Sequence, residues 1–198
     1  MIVFDVLCFY RADGDMMFKR IALLLLTVTL ISCGSEAPVV PQVTGVNDPG
    51  EAVADQALLL ASKGDHSKAA ALFLQAAEQG NRPAQYFIGL YYARGEGLPQ
   101  DFSKSFEWLH KASMGGHPKA IYHLGEMYVH GDGVEVDHVQ AMAWFWVATT
   151  LGERYAEKRL RAVAPRLSAE EIGEAKLLSK ELYKKVPHDL EIERIQLH

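Results

Sequence analysis

His123, Glu126 and His130 stand at i, i+3 and i+7, with His117 just upstream. On an α-helix those spacings put two imidazoles and a carboxylate on one face, a donor set that a metal ion accepts. Thirty-six residues earlier the same register holds Phe87, Leu90 and Arg94, which cannot form a metal site. A polar contact patch is therefore the preferred reading, and no metal is expected. Tyr91 and Met127 belong to the same two rows, which run Phe87, Leu90, Tyr91, Arg94 and then His123, Glu126, Met127, His130. Aromatic, Met and Arg side chains on an otherwise solvated face are what protein interfaces tend to use. The competing expectation for Tyr91 and Met127 is simple packing against neighbouring helices.

Catalytic arrangements are not found. The chain has no Gly-x-Ser-x-Gly elbow, no Ser-x-x-Lys pair and no His-Glu-x-x-His. The pairs Gly95-Glu96-Gly97 and Gly131-Asp132-Gly133 follow helical patterns, not strands. They read as inter-helix turns and not as phosphate cradles. No catalytic residue and no cofactor is expected.

Cys33 is a different kind of candidate. Lys19 and Arg20 precede an unbroken run of apolar residues and threonines from Ile21 to Ile31, and the small residues Ser32 and Gly34 flank the cysteine. That is the layout of a secretory signal, residues 1–32. Eleven residues rise only about 16 Å as a helix, roughly half of a bilayer core. Met1 to Asp15 fits nothing a signal needs, so a start at Met16 or Met17 is expected. Leu30-Ile31-Ser32-Cys33 resembles the bacterial lipoprotein signal. The resemblance implies cleavage before Cys33 and lipidation of its thiol and new amino group, hence a membrane anchor. Gly34 in place of Asp after that cysteine further implies the outer membrane, facing the periplasm. Cys8 is the only other cysteine and lies upstream, so no disulfide staples the domain.

From Cys33 onward 166 residues remain, enough to bury a core without metals or bridges. They carry 17 Lys and Arg against 22 Asp and Glu, a balance that argues against a nucleic-acid partner. Residues 33–50 include Pro38, Pro41 and Pro49 and no helical pattern, a tether spanning roughly 20 Å as a coil.

The elements that position the candidate rows repeat. A shift of 36 residues superposes Ala84 on Ala120, Tyr86 on Tyr122, Gly89 on Gly125 and Tyr92 on Tyr128. It also matches Gly95 with Gly131, Gly97 with Gly133, Asp101 with Asp137, Trp108 with Trp144, Ala112 with Ala148 and Gly116 with Gly152. A period of this length signals stacked helix pairs. Pro83 and Pro118 suit first helical turns, and Asp101 and Asp137 are placed to cap second helices over 102–114 and 138–151. Gly89 and Gly125 fall mid-helix, where glycine costs about 1 kcal/mol relative to alanine, so a close helix approach is expected there. Trp144 and Trp146, two apart, cannot share one helix face, and Trp146 is expected against the terminal cap.

The pattern Ala-x3-[Leu/Ile]-Gly-x2-Tyr-x2-Gly-x-Gly-[Val/Leu]-x2-Asp, with Trp and Ala following, resembles the Sel1-like repeat, a relative of the tetratricopeptide repeat. Residues 84–119 and 120–155 match it, and 51–82, with its short Lys63-Gly64-Asp65 turn, looks like a degenerate tetratricopeptide unit. Residues 156–186 read as capping helices, with Pro165 as a break and Ser168 and Glu171 as a capping box. The tail 187–198 has no assigned structure. The resemblance implies an all-α, right-handed α-solenoid of antiparallel helix pairs with a C-terminal capping helix. It further implies a non-enzymatic adapter or scaffold of the bacterial cell envelope, binding a partner protein on its concave helical face. Two alternatives stand beside it: a cell-wall-related ligand binder or hydrolase of β-lactamase-like kind, and a self-associating element stacking through its repeat ends.

Overall fold

A computed structural model describes residues 50–187. The expected signal segment, Cys33, the expected tether up to residue 49 and the tail beyond 187 lie outside the described residues. Eight α-helices follow one another: α1 (Glu51–Ser62), α2 (His66–Glu78), α3 (Arg82–Arg94), α4 (Phe102–Met114), α5 (Pro118–His130), α6 (His138–Thr150), α7 (Arg154–Val163) and α8 (Ala169–Lys185). A 3₁₀ turn, Ala164–Arg166, carries Pro165 between the last two. No strand occurs among the described residues.

Each helix from α2 to α8 begins on a side chain that accepts from an orphan backbone N–H, whereas α1 starts after Gly50 with no side-chain cap. Asp101 accepts from the Lys104 N–H at 3.0 Å, and Asp137 accepts from both Val139 and Gln140 at 2.9 Å. The first helices of successive repeats show a series 36 residues apart: Asn81, then His117, then Glu153. Asn81 accepts from Ala84 at 2.8 Å, His117 Nδ1 from Ala120 at 3.2 Å and Glu153 from Tyr155 at 3.3 Å. The capping box on α8 is complete, with the Ser168 N–H donating to Glu171 at 2.7 Å.

The helices stack in chain order as pairs: α1 with α2, α3 with α4, α5 with α6, each pair also packing on the next. The mid-helix glycines explain how closely. A methyl at Gly89 would lie 2.7 Å from Cγ of Leu109, and one at Gly125 would lie 2.7 Å from Cε1 of Phe145. Those contacts fall inside van der Waals range, so only a bare Cα lets α4 seat on α3 and α6 on α5. The inter-helix turns then join one repeat to the one before. Gly97, at φ +70°, sits against the His66 carbonyl at the start of α2, and Gly133, at φ +73°, sits against the Phe102 carbonyl at the start of α4.

Buried positions also recur. Ala69, Ser105 and Ala141 are each fully buried and 36 residues apart. The hydroxyl of Ser105 has no hydrogen-bond partner there. A buried hydroxyl without a partner costs about 1–3 kcal/mol, and alanine is the better helix former. Ser105→Ala is therefore expected to stabilise the protein by about 1 kcal/mol, read as a higher urea midpoint at unchanged slope.

The C-terminal end departs from a plain repeat. Helix α6 buries Ala141, Met142, Ala143, Trp144, Phe145, Val147 and Ala148, which leaves it almost no solvated side. A helix apolar all round needs neighbours on every side. Helix α8 supplies one by packing along α6, and it makes little contact with α7. Trp144 is 2% exposed, while Trp146 is half-buried in a cluster that also holds Ile172, Leu182 and Tyr183 of α8. Chain 36 residues after Tyr122 and Gly125 reads Lys158 and Arg161, so α7 lacks the tyrosine and the glycine against which a second helix would seat.

Candidate functional site

The candidate rows lie on the first helices of their pairs, α3 and α5. Phe87 and Leu90 are half-buried, and Arg94 is exposed at the end of α3, 3.5 Å from Glu96. Phe87 stacks on Phe73 of α2 with ring centroids 5.0 Å apart. On α5, His123 and Glu126 are half-buried and His130 is exposed. The rows thus adjoin across the α3–α5 boundary, where the Tyr86 ring lies 5.8 Å from His123 and 4.5 Å from His117.

Tyr91 and Met127 do not belong to the surface. They are 6% and 5% exposed. Tyr91 meets Phe73 edge-on at 5.4 Å, and its hydroxyl lies 3.3 Å from His66 Nδ1, both on α2. Met127 sits in the cluster of Tyr86, Leu109 and Ala112. Their shared position points at the preceding pair, where each repeat buries part of its neighbour. The face a partner can reach from these rows is Phe87, Leu90, Arg94, His123, Glu126 and His130.

Arg159 was hidden from a motif search but not from the 36-residue register, which places it after Phe87 and His123. Its Nε donates to Glu126 Oε1 at 2.5 Å, so α7 extends the row. Glu126 Oε2 also stands 3.8 Å from His130 Nε2. The carboxylate thus meets the Arg159 guanidinium of α7 on one side and the His130 ring of its own helix on the other. Among the described residues no group of three or more His, Cys, Asp or Glu side chains is placed to hold a metal ion.

Burial sets the protonation of the histidines nearby. The His117 ring is pushed down to about 4 by desolvation, with Lys119 and Arg82 adding to the effect. Its Nδ1 accepts the Ala120 N–H, which only a neutral ring can do. His123 is lowered by burial first and by Arg94 next, and His110 by burial alone. The three rings are thus favoured as neutral contact surface at neutral pH.

The Sel1 repeat profile matches residues 59–81, 82–117 and 118–149. A solved Sel1 repeat protein from Oxalobacter formigenes is 33% identical, with a TM-score of 0.53, over 57% of this chain and 90% of its own. The chain belongs to the Sel1 repeat family. A second solved structure is a protective antigen present in uropathogenic Escherichia coli strains, which displays an SLR fold. It is 29% identical with a TM-score of 0.69 over 75% of this chain, which spans about a third of that relative's length. No curated protein matches the sequence. The Sel1 profile reaches into the first helix pair, whose Lys63-Gly64-Asp65 turn is shorter than the Gly-x-Gly loops that follow. Sel1 repeat proteins are generally protein-interaction adapters and typically non-catalytic, and the α-solenoid built here is their fold.

Proposed function

We propose that this Sel1 repeat protein is a lipid-anchored adapter of the bacterial cell envelope that binds a partner protein along the first helices of its repeats. One observation carries the reading. Positions that build the stack are the same from repeat to repeat, as in Ala84 and Ala120, Gly89 and Gly125, or Asp101 and Asp137, whereas positions on the outer row differ each time. Phe87 gives way to His123 and Arg159, Leu90 to Glu126 and Ala162, and Arg94 to His130. A constant frame with a varied, partly apolar face suits recognition of one particular surface, since a few aromatic and Arg anchors carry most interface energy. The partner is a protein of the same compartment.

In-cell crosslinking followed by mass spectrometry tests this on the full chain, beside a variant carrying Phe87→Ala, Leu90→Ala and Arg94→Ala. The expected result is a partner recovered with the native protein and lost with the variant at equal helicity. Equal recovery with both proteins removes the row from the interaction.

The anchor has its own test. Cells fed an alkyne fatty acid are expected to label the native chain and not Cys33→Ser, and the labelled chain is expected to sediment with outer membranes. Each buried methylene of an acyl chain contributes about 0.8 kcal/mol, so loss of the lipid should move most of the protein to the soluble fraction. Label retained by Cys33→Ser would exclude this anchor.

A further inference from the structure

The two ends of the solenoid present helix faces that the interior repeats cover. The turn before α2 is four residues shorter than the turn before α4, running 62 to 66 against 94 to 102. With that allowance, Ala52, Gln56 and Leu59 of α1 hold the places of Ala84, Ile88 and Tyr91 of α3. The latter three are buried in the cluster centred on Phe73 of the preceding pair. No pair precedes α1 among the described residues, and Leu58 and Leu59 are 42% and 54% exposed. Glu51 and Asp55 flank them, both exposed and without an ion pair among the described residues.

At the other end, Lys158 and Arg161 occupy the places of Tyr122 and Gly125, the residues α6 packs against on α5. Helix α8 lies on α6, so this side of α7 faces solvent. Tyr155 is 71% exposed there. Arg154 and Lys158 carry no ion pair among the described residues, and Arg161 is paired only within its own helix, with Glu157 at 2.5 Å. Formal charge on α7 is +3, from Arg154, Lys158, Arg159 and Arg161 against Glu157, in a chain of net charge −5. Helix α1 carries −2, from Glu51 and Asp55 with no Lys or Arg.

Glu51 and Asp55 are spaced i, i+4, and so are Arg154 and Lys158, which makes two ladders of the same rise on helix surfaces. Each has an exposed apolar group beside it, Leu58 and Leu59 on one, Tyr155 on the other. We propose that the protein associates head to tail with a second copy of itself, the Glu51, Asp55 and Leu59 face of α1 meeting the Arg154, Lys158 and Tyr155 face of α7. Such a contact is heterologous and sets α1 of one copy where a second helix would otherwise seat on α7 of the next. Its strength rests on opposite charges around a small apolar centre, so it falls with salt.

Sedimentation velocity on the full chain, over a concentration series at low and at high salt, tests the proposal. The native protein is expected to associate at low salt and to separate at high salt. A basic-ended variant, Glu51→Lys with Asp55→Lys, and an acidic-ended variant, Arg154→Glu with Lys158→Glu, should each weaken association at least about tenfold. An equal mixture of the two should restore it, since each variant's reversed end complements the other's. Circular dichroism and the melting temperature check that both remain folded; if Glu51→Lys disturbs the first turn of α1, Asp55→Lys alone carries that arm. A native chain monomeric at low salt over the whole series overturns the proposal. So does association that survives either reversal, or a mixture that stays dissociated.

Discussion

Gly133→Ala is expected to destabilise the protein by about 2–5 kcal/mol, by adding a left-handed backbone penalty of about 1–2 kcal/mol to an overpacking cost of about 1–3 kcal/mol. Gly133 holds φ +73°, and a methyl there would run into the Phe102 carbonyl at the head of α4. Neither group can step aside, because the one is a turn closing a helix and the other is backbone inside one. Gly97→Ala should behave alike, against the His66 carbonyl. Gly152 separates the two effects. Its φ is +86° but nothing lies within 4 Å of where a methyl would stand, so Gly152→Ala should cost only the backbone penalty of about 1–2 kcal/mol. Urea titrations of the three variants measure this, and equal losses at Gly133 and Gly152 would show that the turn does not hold neighbouring repeats together.

Acid should loosen the centre of the stack before carboxylates titrate. His117 is neutral in the folded protein down to about pH 4. In the unfolded chain it takes up a proton near the usual 6.5. The unfolded state therefore binds more protons between those values, and the stability held above about pH 6.5 is lost as pH falls toward 4. Part of the ring meets solvent, which reduces the loss at this residue to about 1–2 kcal/mol. His110 and His123, lowered in the same direction by burial, add to the slope. His117→Asn places at this cap the residue that Asn81 already supplies one repeat earlier. That variant should match the native protein at pH 8 and exceed it at pH 5, which thermal melts at the two values would register. A native-like loss in His117→Asn would assign the acid sensitivity to the other rings.

Helices, turns and caps were legible in the chain because each depends on contacts within a few residues. Asp101 before Phe102, Pro118 in a first turn and the Ser168–Glu171 box are local hydrogen-bonding arrangements, and the structure forms them. The 36-residue register also carried pairing order, since in a stack each repeat meets only its neighbours. Gly89 and Gly125 announced close helix approach in the same way, because a glycine inside a helix needs a reason.

Which apolar side chains stay outside was not legible to the same degree. Phe87 and Tyr91 are both aromatic, four residues apart, and on one strip of a helix. Only the lie of α2 buries Tyr91 while leaving Phe87 half-open, and α4 does the same to Met127. Arg159 could be aligned with His123, yet its bond to Glu126 exists because α7 stacks beside α5. Helix α8 shows the limit most plainly. Its sequence predicts a capped helix with one apolar side, but its place along α6 and not α7 depends on which surfaces elsewhere are left uncovered. Repeats, caps and turn glycines were therefore determined by sequence alone, through short-range hydrogen bonds and steric fit. The exposed face and the character of the two ends were decided by tertiary packing, because burial belongs to pairs of surfaces and not to one segment.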